Sequence, residues 1–178
     1  ASQIPIYVGK QLRFFIYQSD WKVLPMAAII AALVSMVIRK DFFLTMEGNL
    51  KGAFALTCVA IWNGCFNSIQ SVCRERPIIK REHLSGMHIS SYVASHMIYQ
   101  FALCLAQTGL SVYVMEMMGV AFPVPGFMTR WMILDVGISI LLISYASDMM
   151  SLFISSVAHT TTGAMTVMPF VRIFQLVF

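Results

Sequence analysis

Charge is what this chain has least of. Only 11% of its 178 residues are charged, against 58% hydrophobic, where a soluble domain carries roughly 25% charged residues. That shortage excludes an ordinary water-facing globular domain and points to an all-α membrane protein. The four cysteines, Cys58, Cys65, Cys73 and Cys104, lie in or beside apolar runs. They show neither the paired spacing of a zinc site nor a disulfide framework, so they read as reduced, small apolar residues. No Gly-x-x-x-x-Gly-Lys-Ser/Thr loop is present, so these residues do not cradle ATP by that route. There is no Gly-x-Ser-x-Gly elbow, and His83, His88, His96 and His159 do not form a pair four apart around a glutamate, so no metal site is expected. The formal charge of +4 comes without a basic stripe interleaved with aromatics, which argues against nucleic acid as a partner. The opening residues lack the charged, apolar, then small pattern of a signal peptide.

What the chain does have is apolar runs of membrane-crossing length. Residues 1–21 are mixed, with Val8, Leu12, Phe15 and Ile16 on one helical face and Lys10, Arg13 and Gln18 elsewhere. This predicts an amphipathic helix lying on the membrane surface, the alternative being a solvated helix packed on another domain. Residues 22–178 read as a transmembrane domain with about five spans, near 22–38, 52–72, 92–120, 131–158 and 164–178. Pro25 falls in the first turn of the first span, where proline is tolerated. Residues 39–51 read as a polar connection, Phe122 to Gly126 as a break, and His159 to Gly163 as a tight turn. The fifth span is expected to be incomplete at residue 178, which makes the chain a segment of a longer polypeptide.

Between two long apolar runs sits a knot of six charges: Arg74, Glu75, Arg76, Lys80, Arg81 and Glu82. Each would cost about 2.5–3.5 kcal/mol at the centre of a bilayer, so the knot is expected as a short loop on one side of it. With the knot inside, the inner side carries Lys10, Arg13, Lys22, Arg74, Arg76, Lys80 and Arg81, and the outer side Arg39, Lys40, Lys51 and Arg130. The inner side has the excess, which places the N-terminus and the knot in the cytoplasm. The knot reads either as a docking surface or as a topology signal beside anionic lipid.

The spans carry polar stripes. Asn63, Asn67 and Gln70 lie at i, i+4 and i+7 on one face of the second span, with Phe66 beside them as an apolar contact for a substrate. His96, Gln100, Gln107 and Ser111 share a side of the third. The fourth offers Ser144, Asp148, Ser151 and Ser155, with Asp135 near its outer end. Such groups avoid lipid, so each stripe either hydrogen-bonds to a neighbouring helix or lines a wet pathway. Asp148, an intramembrane acid, is a candidate for a transport role, the alternative being a partnered structural carboxylate.

From the second span to the third the text resembles the membrane domain of G-subfamily ABC transporters. The matching residues are Glu75-Arg76-Pro77-Ile78-Ile79-Lys80-Arg81-Glu82-His83, then Ser85-Gly86, then Ser90-Ser91-Tyr92. The resemblance implies a six-span domain preceded by a connecting helix. It makes Arg74, Glu75, Arg76, Lys80, Arg81 and Glu82 a coupling element that rests on an ATP-binding cassette domain, on the same or another chain. ATP and Mg would belong to that nucleotide-binding domain and not to this segment. The implied activity is that of a homo- or heterodimeric ATP-driven transporter, an exporter crossing the membrane several times, and the methionine-rich composition with reduced cysteines would suit a plasma (inner) membrane. Asn63, Phe66, Asn67 and Gln70 would line its substrate cavity. Rival readings are an ion-coupled secondary transporter or channel conducting past Asp148, and a membrane enzyme using His96 or His159.

Overall fold

The computed structural model describes residues 3–17, 22–38, 46–68, 71–119 and 132–178. Seven helices run through them: α1 Gln3–Tyr17, α2 Val23–Ile38, α3 Met46–Ser68, α4 Ser71–Leu84, α5 Ile89–Met117, α6 Met132–Val157 and α7 Thr161–Val177. No strand occurs among the described residues. Residues Ile89–Met117 and Ile133–Val157 are long and apolar enough to cross a bilayer, and Leu24–Ile38 and Thr162–Val177 are shorter apolar helices.

Two stretches differ from the sequence expectation. The second span was expected over 52–72, after a polar connection, but α3 starts at Met46. Glu47 opens its first turn, where a negative side chain favours the helix dipole, and Lys51 lies 3.8 Å from it one turn on. The charged knot, expected as a loop, is a helix. Its polar side chains need not avoid helix, only hydrocarbon, and α4 stands as a separate helix between α3 and α5. The tight turn after the fourth span is as expected: Thr160 caps α7, its Oγ1 accepting from the Gly163 N–H at 3.1 Å. The break at Phe122 to Gly126 lies outside the described residues.

The bundle is built around α3 packed on α6, with α5 against α6 and α2 against both α3 and α5. α1 runs along α5, and α7 rests on α6 and touches α4. Inside, the usual distribution is inverted. Gln100, Gln107, Asp148, Ser95, Ser111, Ser151 and Ser155 are among the most deeply buried side chains, whereas Leu33, Phe54, Leu142, Phe153 and Phe170 are exposed. In a bilayer that is the favourable arrangement, because lipid solvates the apolar exterior and polar groups find partners only inside.

Small residues let α3 and α6 approach closely. Ala60 and Gly64 stand one turn apart on α3, and Ser144 and Ser147 face them from α6. The Ser144 and Ser147 hydroxyls donate across the seam to the carbonyls of Ala60 and Ile61, each at 3.1 Å. A Cβ on Gly64 would lie 2.5 Å from the Ser144 carbonyl oxygen, so only glycine fits there.

Candidate functional site

The site begins with the helix that the charged knot forms. Arg81 and His83 occupy the last turn of α4, where positive groups suit the dipole. The helix ends in a Schellman arrangement: the Met87 N–H reaches the Glu82 carbonyl and the Gly86 N–H that of His83, both at 3.1 Å. Gly86 has φ of 98°, open to glycine at no steric cost, and Met87 is buried beneath the turn. This stop sends the chain directly into α5.

One face of α4 is fastened to the bundle. The Tyr92 hydroxyl of α5 donates to Glu75 Oε2 at 2.8 Å, and His96 Nε2 lies 2.6 Å from the same hydroxyl and 3.5 Å from the carboxylate. A phenol has one hydrogen, and here it goes to Glu75. His96 must therefore carry a hydrogen on Nε2 to bond to Tyr92. Two helical turns further, Glu82 pairs with Lys10 of α1. Arg76 reaches the end of α6, donating from Nη2 to the Ser156 carbonyl at 2.6 Å, with Nη1 3.1 Å from His159 Nδ1. Three helices thus hold α4. Its opposite face, with Pro77, Ile78, Lys80 and Arg81, is exposed.

Burial by itself would raise the Glu75 carboxyl. The hydrogen bonds from His96 and Tyr92, helped by the charges of His96 and Lys10, outweigh it and hold the group below the ordinary glutamate value. Glu75 is therefore an anion gripped by its neighbours rather than a free charge.

Five of the six charges of the knot thus fall into two groups. Glu75, Arg76 and Glu82 point at the bundle; Lys80 and Arg81 point away from it, and the side chain of Arg74 lies outside the description. Of the proposed cavity residues, Asn63 is buried on α3 next to the α3–α6 seam. The side chains of Phe66 and Asn67, and all of Gln70, lie outside the described residues. The stripes expected on the third and fourth spans are both buried. His96, Gln100, Gln107 and Ser111 are buried on α5, as are Ser144, Asp148, Ser151 and Ser155 on α6. Asp148, fully buried, accepts a hydrogen bond from the Cys104 thiol of α5.

Sequence reasoning passed over two participants. Tyr92 was noticed only as part of the resembling text, and its role as the link between α4 and His96 needed the fold. Arg172, buried on α7 with its guanidinium 5.9 Å from the centre of the Trp62 ring, was not singled out at all. The signal was present: it is the one charged residue in the apolar run 164–178.

The family model for the membrane domain of the ABC-2 type transporter matches residues 9–178. No curated protein and no solved structure matches the chain.

Proposed function

The chain belongs to the ABC-2 type transporter family and is its membrane component, and from that premise we propose that it forms the substrate pathway of an ATP-driven exporter. In this reading it lies in the plasma membrane, crosses it several times, and works as a homo- or heterodimer with an ATP-binding cassette domain on the same or another chain. Residues 1–21 serve as the connecting helix and residues 22–178 as the transmembrane domain. Asn63, Phe66, Asn67 and Gln70 line the cavity in this reading.

The observation that carries the reading is the two-faced α4. A coupling element must be gripped on both sides to pass a push. Glu75, Arg76 and Glu82 fasten α4 to α5, α6 and α1. The exposed Lys80 and Arg81, with Ile78 beside them, are left to meet an acidic surface of the cassette domain. Charge-assisted hydrogen bonds suit this task because they are directional. Asp148 is read as a partnered structural acid of the α5–α6 contact, supported by its bond with Cys104.

The test uses the full-length transporter. Lys80→Ala together with Arg81→Ala is expected to leave membrane insertion intact and to separate ATP hydrolysis from substrate movement. Glu75→Gln with Glu82→Gln is expected to do the same by loosening the other face. Wild-type ATP turnover and wild-type transport in both double variants would overturn the coupling role.

A further inference from the structure

Arg172 presents an unsolved physical problem. It sits in α7 with 3% of its surface exposed, and none of Nε, Nη1 and Nη2 has a hydrogen-bond acceptor. A buried cation normally keeps its place through a paired carboxylate and satisfied N–H groups. Among the described residues, the face of Trp62 on α3 lies beside it, which offsets some of the charge but accepts none of the hydrogens. The intramembrane acid in the same bundle, Asp148, is engaged with Cys104. The interior between α3 and α7 is therefore left with positive charge and a full set of unused donors.

The way α7 is held bears on this. Its N-terminal half is anchored on α6 through Ala164 and Met168, which pack with Ile154 and Ala158. Its C-terminal half exposes Phe170, Ile173, Phe174 and Val177. The main packing of α7 is therefore on α6 through its N-terminal half, and Arg172 lies in the half beyond it.

We propose that Arg172, braced by Trp62, is the recognition site for the acidic head of an amphipathic anion. A carboxylate or phosphate would take the guanidinium fork in paired hydrogen bonds, and the apolar body of the ligand suits a site at bilayer depth. This deepens the pathway reading and rests on it, since it names the class of molecule the pathway selects.

Binding of radiolabelled dodecyl phosphate to the full-length protein in phosphatidylcholine nanodiscs tests the site, with dodecanol as the neutral competitor of equal length. Dodecyl phosphate is expected to bind saturably, and dodecanol to compete at least about tenfold more weakly. Arg172→Gln is expected to weaken dodecyl phosphate about tenfold or more, and Arg172→Lys by less, because a point charge remains without the fork. Without anion, Arg172→Gln is expected to raise the thermal midpoint, since it removes an unpaired buried charge. Equal competition by dodecanol, or unchanged phosphate binding in Arg172→Gln, would overturn the proposal. So would a lowered midpoint accompanied by loss of the dimer, because the guanidinium would then be satisfied by the partner subunit.

Two further arms identify the source of the anion. Displacement by phosphatidylglycerol in the nanodisc assigns the site to a bilayer lipid. ATP-driven movement of dodecyl phosphate across sealed vesicles assigns it to a transported molecule. Transport that is indifferent to Arg172 sinks this site and leaves the exporter reading standing; Arg172-dependent binding without ATP-driven transport of any amphiphile does the reverse.

Discussion

At the scale of single residues, the link from Glu75 through Tyr92 to His96 decides how firmly α4 is held. Each partner has a use for the other: the phenol donates to the carboxylate and accepts from the imidazole. Tyr92→Phe removes the middle of that chain and takes from the half-buried carboxylate its 2.8 Å donor, leaving the longer 3.5 Å contact with His96. The expected loss is about 1.5–3 kcal/mol, the range for hydrogen bonds to charged groups. It should be read as a lower thermal midpoint of the full-length protein in detergent. The acid side of the pH profile tests the same contact. Glu75 is held below its ordinary value, so the folded state binds its proton less readily than the unfolded chain does. The stabilisation is therefore complete above the ordinary glutamate value of about 4.3 and is lost as pH falls through the lower folded value. Glu75→Gln is expected to lower the midpoint at neutral pH and to flatten its decline below about pH 4.3. An unchanged acid limb in Glu75→Gln would mean that another group sets it.

At the scale of elements, the α3–α6 seam is the part of the bundle least tolerant of added volume. Gly64 has the Ser144 carbonyl oxygen, a backbone atom that cannot rotate away, at 2.5 Å from where a Cβ would be. Gly64→Ala must therefore push α3 and α6 apart and lengthen the bonds from Ser144 and Ser147 to Ala60 and Ile61. A cost of about 1–3 kcal/mol is expected, the usual range for overpacking. Gly109→Ala on α5 makes a suitable control, because a Cβ there meets nothing within 4 Å. Equal midpoints for the two variants would show that the seam is looser than described. The second element-scale lesson concerns α4. Its charge content suggested a loop, but charge specifies only the absence of hydrocarbon. Helix ends are set by local chemistry: Gly86 with positive φ and Met87 tucked below it supply the stop. That signal, a glycine just past a basic turn, was already legible as Arg81, His83 and Gly86.

At the scale of the whole molecule, the chain is the non-catalytic membrane component of its transporter. Residues 1–178 by themselves are expected to bind no Mg-dependent ATP, since no phosphate-cradling loop is present. Stoichiometric nucleotide binding by this segment in detergent would place the energy source on the wrong part of the protein.

The all-α membrane character was decided by composition, because 11% charge cannot cover a soluble surface. The polar stripes were equally plain, since a helical repeat puts residues three and four apart on one face whatever surrounds them. His96, Gln100, Gln107 and Ser111 are on the buried face of α5 for that reason. What the sequence left open was which stripe meets which neighbour, and whether a charge faces in or out. Glu82 and Arg81 are adjacent in the chain, yet one pairs with Lys10, 72 positions away, while the other is exposed. Asp148 finds Cys104 across 44 positions, and Arg172 finds the Trp62 ring across 110. Local periodicity fixes the direction of a side chain relative to its own helix. Its partner depends on how separate helices pack, and that is settled only when the bundle closes.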